Sequence, residues 1–194
     1  RAKTAVEEEW TKLRKLGTWL EEAVCEYDEV RGKAQKNGQE VHFGRIFSLC
    51  HEKHSEDPSK SKYKGRVVFQ GNRVTDQEST MAVFQEIGSS ACLLSASKMA
   101  DTISLGPGNG GEQADALQAY TQAALSGTET WVELPRDTWP LSWFKDSRGG
   151  QPLHRGGQPL LPRFRRPVCK LRLALYGHPL SGVYWERHCN TCLK

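Results

Sequence analysis

The sequence lacks the patterns that would place the chain in or across a membrane. It contains no apolar run approaching the roughly 18 residues that a membrane-spanning helix needs, and it shows no signal-peptide pattern. We therefore expect an intracellular protein, in the cytoplasm or the nucleus, that is not secreted and has no membrane partner.

Signatures of several common enzyme classes are also missing. The Gly-rich run at 106–111 is not followed by Gly-Lys-Ser/Thr, so it is not a nucleotide-binding P-loop. Neither Gly-x-Ser-x-Gly nor His-Glu-x-x-His occurs, which excludes the usual serine hydrolase and zinc protease motifs. No two aspartates are adjacent anywhere in the chain.

The cysteines do not form a recognisable framework. Without a secretory context, the six scattered cysteines are expected to be free thiols in a reducing compartment. Cys189 and Cys192 have the spacing of a zinc-knuckle pair, but a full site needs a second pair. The other candidate ligands are Cys50, His51, His54 and His188, and they supply no good second pair, so we do not expect zinc.

What is present suits one globular domain with a locally basic surface. The chain has 194 residues, of which 37% are hydrophobic and 9% aromatic, enough for a core of its own. The net charge is only +4, but between residues 136 and 172 nine Lys or Arg stand against two Asp. Such a local excess suits a polyanion, and it is equally typical of a solvated, disordered basic loop.

Apolar spacing in the first 75 residues predicts helices followed by a β-hairpin. Helical periodicity covers 4–16 and 19–34, which gives a helical segment over 1–40. Two runs of strand character, separated by a polar turn, then predict an antiparallel hairpin over 41–75. Lys64 and Arg66 are two residues apart on its second strand, so both point to one face. That arrangement suits a triphosphate or a nucleic-acid backbone, and it also suits a solvent-facing strand edge kept soluble by charge.

Residues 76–135 contain the stretch on which the functional hypothesis rests. A helix is predicted over 89–104, with its apolar face under a sheet. The stretch 113–123 starts extended and ends in a helix-forming run, which puts Asp115 where a strand gives way to a helix. A carboxylate there is held rigidly enough to bind a ligand, although Asp at such a junction is commonly a helix N-cap. A short strand at 130–134, ended by Pro135, follows.

The last third of the chain divides into two parts. Within 136–167, Arg-Gly-Gly-Gln-Pro-Leu occurs twice, and a Gly/Pro/Arg repeat of this kind predicts a flexible insertion that buries almost nothing. Over 168–194, a strand leads into Ala174-Leu175-Tyr176-Gly177 and then a helix. The basic residues of this third that we expect at a nucleic acid are Arg163, Arg165, Arg166, Lys170 and Arg172.

Four blocks, in this order, resemble the reverse transcriptase of copia-type retrotransposons. They are the basic strand 63–71, the Asp115 block, the short strand ending in Pro135 and the Ala-Leu-Tyr-Gly block at 174–177. The resemblance extends over roughly residues 6–193. It implies an α+β fold, a truncated right-hand polymerase with a fingers β-hairpin (41–75) and a partial antiparallel palm sheet backed by helices (76–135 and 168–194). The chain starts at Arg1, and we interpret it as a piece of a longer polyprotein.

The resemblance also implies an activity, which is transfer of deoxynucleotides to a primer 3′-hydroxyl on an RNA template with two Mg²⁺ ions. Asp115 would be the catalytic metal ligand, with the backbone carbonyl of Ala116 beside it. Lys64 and Arg66 would contact the nucleotide, and Tyr120 would lie under its sugar and reject a ribose 2′-hydroxyl. From the residues alone, Tyr120 could equally be a core tyrosine.

Two departures from the family pattern weaken the expectation of activity. The family's second acidic motif, a pair of adjacent Asp, does not occur, and one carboxylate cannot hold two Mg²⁺ ions. Leu180 stands where the family usually has a Gln that helps to hold the nucleotide. We therefore expect the isolated chain to be inactive. The alternative is a catalytically dead nucleic-acid-binding remnant.

Overall fold

The described part of the chain folds into a mixed α/β structure. The computed structural model describes residues 1–84, 93–145 and 160–193. Within these ranges the helices are α1 (Ala2–Lys15), α2 (Tyr27–Asn37), α3 (Leu94–Ser104), α4 (Ala119–Gln122) and α5 (Ser181–Cys192). The strands are β1 (Cys25–Glu26), β2 (Val41–Lys53), β3 (Lys62–Phe69), β4 (Glu129–Glu133), β5 (Phe144–Lys145), β6 (Leu161–Pro162) and β7 (Pro167–Lys170).

One mixed sheet organises the fold, in the strand order β1-β7-β4-β2-β3, and β5 and β6 pair separately. The structure therefore agrees with the predicted mixture of helices and sheet, but the sheet is not wholly antiparallel as predicted, because β2 and β4 run parallel. Parallel strands need a long crossover, and the chain between β2 and β4 includes β3, α3 and α4. The strands predicted for the fingers hairpin and those predicted for the palm also lie in this one sheet, rather than in separate sheets.

The predicted hairpin is confirmed, and α1 covers one of its faces. β2 and β3 pair antiparallel from Ile46↔Phe69 to Lys53↔Lys62. Gly65, Val67 and Phe69 alternate with more exposed residues along β3, as expected for a strand buried on one side. From α1, the Trp10 indole Nε1–H donates to the Ser48 hydroxyl at 2.8 Å.

The second predicted helix starts later than its apolar spacing indicated. Residues 19–26 form a 3-10 turn and the short strand β1, and α2 begins only at Tyr27. Trp19 is buried, stacks edge-on against Trp10 with ring centroids 5.3 Å apart, and bridges to Leu171. Tertiary contacts with β7 and α1 therefore override helical periodicity in this segment.

The helix α3 contradicts the prediction of a helix packed under the sheet. It spans Leu94–Ser104 and contains no buried residue, and Met99 and Ile103 are 65% and 55% exposed. The start of the predicted helix, including Cys92, lies outside the described residues. Among the described helices, none combines the length and the apolar character needed to cross a membrane.

The described flanks of the predicted flexible insertion are folded. Residues 136–145 form two 3-10 turns and β5, and Trp143 is only 2% exposed. Trp139, Phe144 and Phe164 pack against the main core around it. The prediction for 136–167 is thus wrong at its ends, because four aromatic side chains supply the apolar area that the Gly/Pro repeat lacks. The repeat itself, within 146–159, lies outside the described residues.

Two glycines allow the segment after β7 to meet the end of β3. Gly177 has φ +87°, a conformation that favours glycine, and a Cβ there would clash with the carbonyl oxygen of Phe69. A Cβ on Gly71 would likewise clash with the carbonyl oxygen of Gly177. The Phe69 amide donates to the Tyr176 carbonyl at 2.7 Å, so this approach fixes the position of Tyr176 beside β3.

We predict that Gly177→Ala destabilises the fold by at least about 2 kcal/mol, since it adds backbone strain and a steric clash. Gly38→Ala is the matched control, because Gly38 also has positive φ (+62°) but has open space around it. It should cost only about 1 kcal/mol. Urea unfolding of both variants measures the difference, and equal losses would contradict the close approach.

Candidate functional site

Lys64 and Arg66 alternate along β3 with the residues buried under α1, and Lys64 lies near Glu9 and Lys12 of α1. Lys64 is exposed and Arg66 is half-buried. The positive charge of Arg66 is the main cause that lowers the pKa of Lys64, and slight burial, Lys53 and Lys12 lower it further, against Glu9. We call Lys12, Lys53, Lys64 and Arg66 the basic cluster.

The basic cluster is not neutralised within the described part of the chain. None of its four cations has a carboxylate oxygen within ion-pair distance there, whereas many other basic side chains do. Glu9 acts in the opposite direction and partly offsets these positive charges at Lys64. The other three cations disfavour the protonated form of Lys64, and a polyanion, such as a chain of phosphates, would relieve this repulsion.

An aromatic pair adjoins the basic cluster. The Arg66 guanidinium lies over the Tyr176 ring, 4.9 Å from its centroid, and the Tyr176 ring meets the Tyr120 ring edge-on at 4.6 Å. Tyr176 is held by the Gly177 turn, and Tyr120 is held on α4, which packs on α5. We call Arg66, Tyr176 and Tyr120 the aromatic platform. The basic cluster and the aromatic platform share Arg66, and together they contain three of the residues expected at a nucleotide, namely Lys64, Arg66 and Tyr120.

Asp115 is not at the end of a strand. Residues 111–116 have no regular secondary structure, so the predicted strand before Asp115 is absent. Asp115 and Ala116 are both exposed, in the connection between α3 and α4. In the helix-forming run after Asp115, only the four residues of α4 are helical. The prediction of a helix at Tyr120 is confirmed. The prediction that a rigid strand ends at Asp115 is wrong.

The acidic side chains of the described residues do not assemble a two-metal site. No group of three or more His, Cys, Asp or Glu close enough to hold an ion occurs among these residues, including around Asp115. Two Mg²⁺ ions need several oxygen ligands, and one exposed carboxylate with the Ala116 carbonyl does not supply them. The residues present therefore do not fit the magnesium pair that the resemblance implies.

The basic residues expected at a nucleic acid each contact the chain itself. Arg163 donates to the Phe144 carbonyl, Arg165 pairs with Asp28, Arg166 pairs with Glu133, Lys170 pairs with Glu129, and Arg172 donates to the carbonyls of Leu16 and Gly17. The two Arg172 bonds satisfy carbonyls at the C-terminus of α1. The Lys170 pair joins β7 to β4, and the Arg166 pair joins the residue just before β7 to β4. Binding of nucleic acid by this set stays a prediction.

Sequence reasoning missed three residues of the surface. The sequence analysis includes Tyr176 only as part of the Ala-Leu-Tyr-Gly block, and it does not include Lys12 or Lys53 among the candidate site residues. A signal existed for Tyr176, since an aromatic directly before a glycine that must adopt positive φ is held in one orientation. None existed for Lys12 and Lys53, because they come from α1 and β2 and only the tertiary fold brings them near Lys64.

Comparison of the chain with protein-family models, with curated proteins and with solved structures gives no significant match.

We predict that Arg66→Gln raises the pKa of Lys64 towards its ordinary value of 10.5, because the main charge that opposes protonation is removed. The Cε chemical shift of Lys64, followed by NMR during an alkaline titration, measures this. Arg31→Gln, which removes a cation outside the basic cluster, should leave the titration unchanged. A Lys64 pKa that ignores Arg66 would show that the two side chains do not share a face.

Proposed function

We propose that this chain is a portion of an RNA-directed DNA polymerase of the copia retrotransposon type, and that its basic cluster and aromatic platform bind the phosphates and bases of nucleic acid or of an incoming nucleotide. The observation that carries the proposal is the stacking of Arg66 on Tyr176 beside Lys64, which has no acidic partner among the described residues. The order of the four sequence blocks supports the choice of polymerase class.

The chemistry of the surface supports a nucleic-acid ligand. Unpaired cations hold phosphates by charge-assisted hydrogen bonds and release counterions. Aromatic rings beside such cations offer stacking surfaces for bases, worth about 1–3 kcal/mol for each stacked base. Lys64 and Arg66 would take the phosphates, and Tyr120 and Tyr176 would take a base or a sugar.

The catalytic part of the proposal depends on residues that this portion does not supply. Nucleotidyl transfer places the primer 3′-hydroxyl in line with the α-phosphate and neutralises the developing charge. Asp115 is one acid for that task, and its exposed position leaves it free to meet a second acidic group. We expect the 194-residue chain alone to bind nucleic acid without extending a primer.

The second candidate is a nucleic-acid-binding remnant that has lost catalysis. Two observations favour it: among the described residues no group of three or more His, Cys, Asp or Glu around Asp115 could hold a metal ion, and Leu180 stands in place of the expected Gln. Both candidates need the same binding surface. They differ in whether Asp115, joined to a complementing acidic segment of the same polyprotein, supports Mg²⁺-dependent incorporation that Asp115→Asn abolishes.

Binding can be tested by fluorescence anisotropy with a labelled primer–template across a range of salt concentrations. We predict that Lys64→Gln weakens binding and lowers the slope of log affinity against log salt by about 0.7–0.9, the value for one lost phosphate contact. Lys33→Gln is the matched control, because Lys33 is exposed on α2 and pairs with Glu29 outside the basic cluster.

Two results would count against this surface. Binding that does not change with salt would remove the polyanion hypothesis altogether. A loss for Lys33→Gln as large as that for Lys64→Gln would show non-specific attraction by net charge. Arg165→Gln, measured beside them, decides whether the basic residues of 163–172 also contact the ligand.

A further inference from the structure

The helix α3 presents a row of side chains that no described part of the chain buries. Positions spaced by four, three and four residues lie along one side of an α-helix, because each residue turns the chain by about 100°. Leu94 and Leu105 end this row and are 70% and 86% exposed. Leu105 directly follows α3 and keeps right-handed helical dihedrals. We call the row the α3 seam, and it consists of Leu94, Lys98, Asp101 and Leu105.

The two charges of the α3 seam are exposed and are not used within the described part of the chain. Neither Lys98 nor Asp101 forms an ion pair with another described residue. No residue of the α3 seam belongs to the basic cluster or the aromatic platform. An inference drawn from the seam therefore does not depend on the proposed function.

The α3 seam is complementary to itself when the helix is reversed. Its order is leucine, cation, anion, leucine. An antiparallel second copy places Leu94 opposite Leu105 of that copy, and Lys98 opposite Asp101 of that copy. The spacing of four, three and four residues is that of a coiled-coil seam. A two-fold axis between Met99 and Ala100 repeats each contact, as in an isologous interface.

Charge complementarity selects the occupant and its direction. In a parallel pair Lys98 would face Lys98 and Asp101 would face Asp101, and both contacts would repel. An antiparallel pair replaces them by two contacts between opposite charges. The other side of α3 is apolar and uncharged, so it specifies neither a partner nor a register. That side consists of Ala96, Met99, Ala100 and Ile103.

We propose that the α3 seam is a docking surface for a second copy of this chain, with the two helices antiparallel and each Lys98 paired with Asp101 of the other copy. Leu94 of each copy packs on Leu105 of the other and removes apolar area from water. The eleven residues of α3 span only about 16 Å. So short a contact buries less than the roughly 1,200 Å² of a stable complex, so the dimer is weak, with a dissociation constant on the order of 0.1 mM.

Charge reversals in the full 194-residue chain test the pairing by sedimentation equilibrium, at concentrations up to the order of 1 mM. Lys98→Glu and Asp101→Lys each place like charges in both contacts, so each should weaken self-association at least about tenfold. An equimolar mixture of the two variants restores opposite charges in both contacts. The mixed dimer should therefore form with the wild-type affinity, which an effect within one helix would not produce.

The double variant Lys98→Glu/Asp101→Lys determines the direction of pairing. It exchanges the two charges, so antiparallel copies of this variant should associate as strongly as the wild-type chain. Mixed with the wild-type chain, it places like charges opposite each other in an antiparallel pair and opposite charges in a parallel pair. We therefore expect the two chains to associate with themselves and not with each other.

Two controls separate the α3 seam from general effects. Lys36→Glu changes the net charge by as much as Lys98→Glu does, at an exposed position of α2, and should leave self-association unchanged. Met99→Gln alters the apolar side of α3 and should also leave it unchanged. Because α3 contains no buried residue, these substitutions should not disturb the core, and thermal unfolding of each variant checks this.

Several outcomes would overturn the proposal. It fails if the wild-type chain stays monomeric up to its solubility limit, or if the single charge reversals leave self-association unchanged. A mixture of Lys98→Glu and Asp101→Lys that does not associate would show that these residues do not face each other. Preferential pairing of the wild-type chain with the double variant would make the contact parallel. Loss of association in Met99→Gln alone would move the interface to the apolar side of α3.

Discussion

The surface proposed to bind nucleic acid depends on the contact between two backbone segments at Gly71 and Gly177. No side chain fits between these segments, so the residues must be glycines for the turn after β7 to reach the end of β3. The hydrogen bond from the Phe69 amide to the Tyr176 carbonyl follows from that approach. Without it, Tyr176 would not lie under Arg66, and this contact between a cation of β3 and an aromatic ring would be lost.

The segment with the largest excess of basic residues in the sequence is not the source of the basic cluster in the structure. The basic excess between residues 136 and 172 first suggested a polyanion, yet Arg165 and Arg166 pair with acids and Arg172 satisfies the carbonyls at the end of α1. The four cations of the basic cluster, which have no acidic partner among the described residues, come instead from α1, β2 and β3. Desolvation and pairing in the fold decide which charges remain for a ligand.

Local patterns predicted the elements better than their arrangement. The β2–β3 hairpin and the short strand before Pro135 were correctly predicted, because alternation and turn residues act over a few positions. The parallel pairing of β2 with β4 was not, since nothing in either strand specifies its neighbour. Trp19 shows the same limit, because its helical spacing gave way to packing against Trp10.

The candidate site was predictable in part for the same reason. Lys64 and Arg66 share a face because strand geometry alone requires it, whereas Asp115 needed a strand that did not form. Tyr120 belongs to the aromatic platform because α4 packs on α5. No short stretch of the sequence contains both helices, so local patterns could not predict this packing.

The central claim, that the Gly71–Gly177 contact holds Tyr176 beneath Arg66, can be tested by the proton chemical shifts of the Arg66 side chain. A guanidinium 4.9 Å from a ring centroid places its neighbouring methylene protons in the ring current. The account predicts an upfield shift of these protons that persists in Tyr176→Phe and disappears in Tyr176→Leu and in Gly71→Ala. Arg66 protons at ordinary positions in the wild-type chain, unchanged by these substitutions, would contradict it.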